Sequence, residues 1–163
     1  NIDSKKYCPS CGTEVKLPEI PEKEVEAVGA PKTIEEILKE LGKDVKLARE
    51  GANNWSVKEG SAKIKITYNP DNFFIAGDAY LCQLPSDAQK IKPLYQFLLE
   101  ENHRTNGLVL SCVKQNIVLS SIIYDLDMTK ESGANIFRNL FRQADYYDDF
   151  LKKEYSCTDR LEE

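Results

Sequence analysis

Two cysteines near the start of the chain have the spacing of a metal-binding knuckle. Cys8 and Cys11 are separated by Pro9-Ser10 and followed by Gly12. A tight turn of this kind directs both sulfurs at one ion, and a structural zinc ion takes four ligands in a tetrahedron. The pair therefore predicts half of a zinc site, and the other two ligands must come from elsewhere.

The remaining cysteines and the single histidine do not complete this site. Cys82 and Cys112 lie in apolar, strand-like runs, Cys157 lies near the C-terminus, and His103 lies at the polar end of a helical pattern. None of them belongs to a second C-x-x-C motif. A four-ligand ribbon within this sequence is therefore not expected.

Residues 1–15 resemble the second knuckle of a short bacterial zinc ribbon. In that family a first C-x-x-C-G motif lies about 10 to 15 residues upstream. The resemblance implies that the natural protein extends further toward the N-terminus, and that Cys8 and Cys11 bind zinc only in that full-length protein. The alternatives are a reduced thiol pair without metal, or a redox motif, which would need a preceding strand and a following helix.

Composition indicates one soluble domain with a short extension. The chain has 163 residues, of which 41% are hydrophobic and 30% charged, as in ordinary globular proteins. No apolar run approaches the roughly 18 residues that span a membrane. Five cysteines without framework spacing favour a reducing cytoplasm. The net charge of −5 argues against binding nucleic acid through its phosphates.

The sequence divides into four parts. Residues 1–15 form the partial ribbon, and residues 16–32 form a linker rich in proline and glutamate, which favours an extended, solvated chain. Residues 33–157 form the main domain, and residues 158–163 form a C-terminal tail.

Within the main domain, hydrophobic periodicity predicts an α+β fold of the order α-β-β-β-α-β-β-α. Short links between strands favour antiparallel pairing, so we expect one sheet of about five strands with three helices. The first helix begins at Thr33 and the second at Ser86, each with a capping-box pattern. The predicted strands cover residues 54–59, 61–68, 73–84, 108–113 and 117–126, and the last helix covers residues 129–155.

Several strands are apolar on both faces. In the last strand, Ile122 and Tyr124 alternate with a second apolar set. An antiparallel sheet with helices on one side should have one polar, solvated face, so we expect the second face to be covered. A partner subunit or a bound peptide could cover it, and the alternative is that the long terminal helix wraps around it.

The main domain resembles the fold shared by type III secretion chaperones and the YbjN family. The resemblance rests on the leucine-rich helix LYQFLLEEN (residues 94–102), the strands LVLS (108–111) and IVLS (117–120), and the closing helix FRNLFRQADYY (137–147). It implies an acidic, dimeric protein that binds other proteins. A zinc ribbon and proline linker depart from the secretion chaperones and favour a general adaptor or regulatory role.

We therefore expect a non-enzymatic adaptor that forms a homodimer, holds a segment of another protein and does not bind nucleic acid. The candidate partner-contact residues are Phe73, Phe74, Tyr80, Ile122 and Tyr124. Each of them could instead be an ordinary core residue. The alternative function is a zinc-ribbon regulator that contacts nucleic acid or the transcription machinery, which the acidic balance disfavours.

No constellation of catalytic residues accompanies these features. The chain has no nucleophile elbow, glycine-rich phosphate loop or HExxH motif. Asp125 and Asp127 are interpreted as a polar strand exit and a helix N-cap rather than a cation site. Asp145, Asp148 and Asp149 are interpreted as a solvated acidic face of the last helix.

Overall fold

The computed structural model describes residues 29–160, which form one antiparallel sheet with helices packed on it. The elements in chain order are α1 (Ala30–Glu40), α2 (Val45–Ala48), β1 (Arg49–Gly51), β2 (Asn54–Glu59), β3 (Ala62–Asn69), β4 (Phe74–Gln83), α3 (Ala88–Asn102), β5 (Leu108–Val113), β6 (Asn116–Tyr124) and α4 (Lys130–Tyr155). A 3-10 turn, Asp125–Asp127, joins β6 to α4. None of the helices within residues 29–160 is long and apolar enough to cross a membrane.

The sheet has six strands in the order β1-β2-β3-β4-β6-β5, and all neighbours are antiparallel. The expected α+β class and antiparallel pairing are confirmed. The expected count of five strands and three helices is too low, because β1 and α2 were not foreseen. These two elements have three and four residues, which is too short for a hydrophobic period to be visible in the sequence.

The helix starts differ from the expected positions by one to three residues. Helix α1 begins at Ala30 after Gly29, and Pro31 occupies its first turn, where a missing N–H has no consequence. Thr33 therefore lies inside the helix rather than capping it. Helix α3 is capped by Asp87, whose carboxylate accepts from the Gln89 N–H at 2.9 Å.

Helix α4 has the most complete cap. The Thr129 hydroxyl accepts from the Ser132 N–H at 3.1 Å, and the Ser132 hydroxyl accepts from the Thr129 N–H at 2.9 Å. This reciprocal pair satisfies two donors that the first turn would otherwise leave free. The helix then runs for 26 residues, close to the expected bounds of 129–155.

One face of the sheet carries the hydrophobic core and is here called the closed face. It packs against α1, α3 and α4 through side chains that are almost fully buried, including Trp55, Ile64, Ile75, Leu119 and Phe137. Helix α4 crosses β4 closely at Gly77, where an added Cβ would lie 2.8 Å from Leu140 Cδ2. The sheet and α4 can approach this closely because Gly77 has no side chain.

A buried carboxylate joins α4 to the turn between β2 and β3. Asp148 is 1% exposed, and its Oδ2 accepts from Lys152 Nζ at 2.8 Å and from the Ser61 hydroxyl. Burial alone would lower the pKa of Lys152, but Asp148 and Asp159 reverse this effect and raise it. The expectation that Asp148 belongs to a solvated acidic face is therefore wrong.

The chain returns to the sheet after α4. Ser156 has a left-handed backbone (φ 57°) that ends the helix. The next residues form an isolated antiparallel bridge, with Gln83 N to Thr158 O at 2.8 Å and Thr158 N to Gln83 O at 3.2 Å. Ordered packing thus continues past residue 157, into the segment that the sequence assigns to a tail.

Candidate partner-binding face

The face of the sheet opposite α4 is here called the open face. Ile122 is 65% exposed and Tyr124 is 59% exposed. Both lie at the end of β6, which pairs there with β4 but extends past β5, whose pairing ends at Ser121. The alternative that the terminal helix wraps around this face is wrong, because α4 packs on the closed face. Nothing within residues 29–160 covers these two side chains.

Four of the five predicted contact residues lie together at one end of the open face, here called the apolar end. Phe74 pairs with Tyr124 across β4 and β6, and Ile122 pairs with Ala76 on the same face. Phe73 directly precedes β4, and its carbonyl accepts from the Asp125 N–H at 2.9 Å. The structure therefore places Phe73, Phe74, Ile122 and Tyr124 as one exposed or half-buried apolar group.

Phe73 has a strained backbone. Its φ is 54°, in the left-handed region that costs a residue with a Cβ about 1 kcal/mol or more. Its ring is 58% exposed, so burial offsets little of this cost. Left-handed residues of this kind occur in turns, such as the one between β3 and β4, and at functional sites.

The fifth predicted residue, Tyr80, lies apart from the other four. It is six residues further along β4 than Phe74, which corresponds to about 20 Å in a strand. Its ring is half-buried beneath Lys65, whose Nζ lies 5.4 Å from the ring centroid. Tyr80 thus belongs to the other end of the same face.

Sequence reasoning missed several residues of this face. Val109 and Val113 of β5 are exposed apolar side chains beside β6, and a short strand gave too few positions to separate its two faces. Lys63 and Lys65 were visible in the alternation of β3, and that pattern could have identified a basic end of the face. Lys114 and Arg160 join them only through the fold.

Side chains cap part of the main chain along β5, one edge strand of the sheet. At the β5 edge, Asn102 Oδ1 accepts from the Leu110 N–H at 2.6 Å, and Asn102 Nδ2 donates to the Leu110 carbonyl at 3.0 Å. The Thr105 hydroxyl donates to the Leu108 carbonyl at 2.7 Å. The other edge is β1, which has three residues. Side-chain capping and a short edge strand are both ways of preventing strand addition.

The aspartates at the end of β6 have structural partners. Asp125 Oδ2 accepts from the Tyr68 hydroxyl at 2.9 Å, and this bond, with burial, raises the pKa of Tyr68. Asp127 ends the 3-10 turn just before the α4 cap. Among residues 29–160, no group of three or more His, Cys, Asp or Glu side chains is arranged to hold a metal ion.

The predicted zinc ligands Cys8 and Cys11 lie outside the described residues. The three cysteines within residues 29–160 are free thiols. Cys82 and Cys157 are buried, and a hydrogen bond between their sulfurs lowers the pKa of Cys157 and raises that of Cys82. This contact joins the end of β4 to the segment after α4.

A hollow of about 510 Å3 lies between the C-terminal end of α3 and α4. Its central groups already have partners within the chain. Glu101 accepts from the Tyr147 hydroxyl at 2.8 Å and from Arg104 at 3.2 Å. Burial and the bond to Glu101 raise the pKa of Tyr147, which keeps the phenol protonated and suited to a structural hydrogen bond.

Comparison with known proteins gives a fold but no close relative. The chain matches no protein-family model and no curated protein sequence. Solved structures with the same fold do match. The ExsC–ExsE complex matches with a TM-score of 0.57 at 14% identity, over 76% of this chain and 97% of the other.

Two further solved structures have the same fold. YbjN from E. coli, described as a putative transcription regulator, matches with a TM-score of 0.56 at 15% identity, covering 77% of this chain and 92% of that one. The Yersinia pestis type III secretion chaperone SycH, solved with a fragment of YscM2, matches at 0.50 and 18%, covering 70% and 95%. The chain shares its fold with type III secretion chaperones and YbjN.

Proposed function

We propose that this protein is a non-enzymatic, chaperone-like adaptor that binds a segment of a partner protein on the open face of its sheet. The observation that carries this proposal is the apolar end, where Ile122 and Tyr124 are exposed beside the strained Phe73. Exposed apolar groups of this kind are typical of protein-binding surfaces. The predicted cytoplasmic location rests on the cysteine content and stays a prediction.

The capped edge strand of the sheet indicates how the partner segment binds. The capping of β5 by Asn102 and Thr105 occupies part of the main chain that an added strand would pair with. We therefore assign binding to side chains of the face, in place of the strand addition that an open edge would favour. Aromatic and branched side chains give such a contact most of its affinity.

The structural neighbours support a protein partner. Two of the matching structures are a complex of ExsC with ExsE and a complex of SycH with a fragment of YscM2. In both structures, a protein with the same fold as this chain is bound to another protein. The identities of 14% and 18% carry the fold but not the partner.

Self-association uses a different surface in this proposal. Tyr95 and Leu99 are exposed and one turn apart on α3, while Leu94 and Leu98 of the same helix are buried. An exposed apolar pair on the outside of a helix is suited to pack against its copy in a symmetric dimer. The homodimer thus leaves the open face accessible to the partner.

The partner proposal is tested by affinity capture of the full chain from its own cells. We expect the double variant Ile122→Asp with Tyr124→Asp to lose the captured protein while keeping its circular dichroism spectrum. The matched control, Ala52→Asp with Ala88→Asp, introduces the same charge at exposed positions away from the open face. This variant should still capture the partner protein. Equal capture by both variants would contradict the proposal.

The dimer proposal has its own test. Light scattering coupled to gel filtration should give twice the chain mass for the wild type and the monomer mass for Leu99→Asp. Ile122→Asp should remain dimeric, because it lies on the other surface. A wild-type monomer at tens of micromolar would show that self-association is wrong while leaving partner binding intact.

Zinc binding by Cys8 and Cys11, which lie outside the described residues, stays a prediction. Structural zinc is bound stoichiometrically by four ligands, so metal analysis of the protein purified from its own cells should find one zinc per chain. Replacement of both cysteines by serine should remove the metal.

A further inference from the structure

The basic end of the open face forms a cleft of about 700 Å3. It lies between the ends of β3, β4 and β6, the β5–β6 turn and the segment after α4. Its charged lining consists of five cationic side chains and one carboxylate, namely Lys58, Lys63, Lys65, Lys114, Arg160 and Glu50. This concentration of positive charge occurs in a chain whose net charge is −5.

Two carboxylates offset part of this charge: Glu50 in the lining, and Asp78, which is the cross-strand neighbour of Lys65. Glu50 lies 4.0 Å from Lys63, and both side chains are partly exposed. Lys65 lies over the Tyr80 ring, a contact that holds its ammonium at the cleft without removing its charge. Several like charges in one concavity repel one another and attract an anion.

Two polar atoms of the cleft lining are buried without a partner. Within residues 29–160, neither Arg160 Nη1 nor Asn116 Oδ1 has a hydrogen-bond partner. A buried polar atom left unpaired costs about 1–3 kcal/mol, and more for a charged group. Arg160 Nη1 is a donor suited to a carboxylate, whereas Asn116 Oδ1 is an acceptor and needs a donor such as a peptide N–H.

The position of the cleft relates it to the apolar end. Tyr80 at the cleft and Phe74 at the apolar end are six residues apart on one strand, a distance of about 20 Å. A segment of about six extended residues spans both ends. The face therefore has a basic end and an apolar end within the reach of one short peptide.

We propose that the cleft binds the acidic part of the partner segment, so that the protein recognises a peptide with clustered Asp or Glu residues at one end and aromatic or aliphatic residues at the other. This inference rests on the proposed partner binding and specifies its chemistry. The lysines and Arg160 bind carboxylates, while Ile122 and Tyr124 contact the apolar side chains. Charge then determines which segment binds and in which direction it lies.

A display library of random 12-residue peptides tests this without a known partner. The wild-type chain should select peptides with acidic residues at one end and apolar residues at the other. The cleft variant Lys114→Glu with Arg160→Glu should lose the acidic preference and bind a selected peptide at least about tenfold more weakly, with a weaker dependence on salt. The control, Lys92→Glu with Lys153→Glu, makes the same charge change outside the cleft and should behave as wild type.

The other outcomes separate the two proposals. Selected peptides that are apolar only, and insensitive to the cleft variant, would overturn the acidic specificity and leave partner binding standing. No enrichment over the Ile122→Asp, Tyr124→Asp variant would overturn both. A 20-nucleotide single strand of DNA that binds through the cleft more tightly than any selected peptide would assign the cleft to phosphates and overturn the acidic peptide.

Discussion

The two faces of the sheet are built from the same strands but differ in what surrounds them. On the closed face, Gly77 leaves room for Phe137 and Leu140 of α4, and the core side chains are almost fully buried. On the open face, Ile122 and Tyr124 remain exposed at the end of β6, past the last residue that pairs with β5. Packing of the closed face therefore stabilises the sheet. The open face can carry apolar side chains that contribute little to stability.

The largest expected difference in stability between the two faces appears when a side chain of each face is truncated. Phe137→Ala should lower the free energy of unfolding by about 4 kcal/mol, because it leaves a cavity between α4 and the sheet. Ile122→Ala on the open face should change it by less than about 0.5 kcal/mol. Urea denaturation of both variants measures the contrast. Similar losses would mean that the open face is covered in solution.

The next largest effect on stability is expected at the buried carboxylate of Asp148. Asp148→Asn should cost about 2 kcal/mol, since Lys152 and Ser61 lose a buried charged acceptor. Asp149→Asn, one residue along the helix and exposed, should cost almost nothing. Equal effects in thermal unfolding would show that burial of Asp148 has no energetic consequence.

A smaller effect is expected at the β5 edge. Asn102→Ala should cost about 1–2 kcal/mol, because the Leu110 N–H and carbonyl lose their partners. The uncapped edge should also make the protein associate more readily at high concentration, which light scattering detects. Asn106→Ala, in the exposed loop that follows, should leave both properties unchanged.

The smallest effect has the opposite sign. Phe73→Gly should stabilise the fold by about 0.5 kcal/mol, because relief of the left-handed strain slightly exceeds the entropy that glycine adds to the unfolded chain. The same variant should capture less partner, because the exposed ring is lost. Ser156→Gly, at a second left-handed position, should gain stability without any change in capture. Full capture by Phe73→Gly would remove Phe73 from the binding surface.

The sequence predicts the parts of this fold in which one local pattern dominates. The alternation of β3 and the spacing of Phe137, Leu140, Phe141 and Ala144 in α4 each follow from a single hydrophobic period. The short β1 and α2 contain no full period and depend on contacts made elsewhere in the chain. Asp148 looks solvated in sequence because its partners, Ser61 and Lys152, become visible only after the fold brings them together.

One part of the candidate site can be predicted from the sequence and another part cannot. Phe73, Phe74, Ile122 and Tyr124 follow from apolar residues on the second face of two strands. The basic cleft does not, because Lys65, Lys114 and Arg160 come from three distant parts of the chain. Their shared position depends on strand order, which no spacing in the sequence encodes.

The bridge between Gln83 and Thr158 has a practical consequence for work with this protein. It holds the last described residues against the sheet, and Arg160 follows within two positions in the lining of the cleft. An affinity tag or fluorophore joined after Glu163 would begin only a few residues from that lining. A label placed there would report on cleft occupancy.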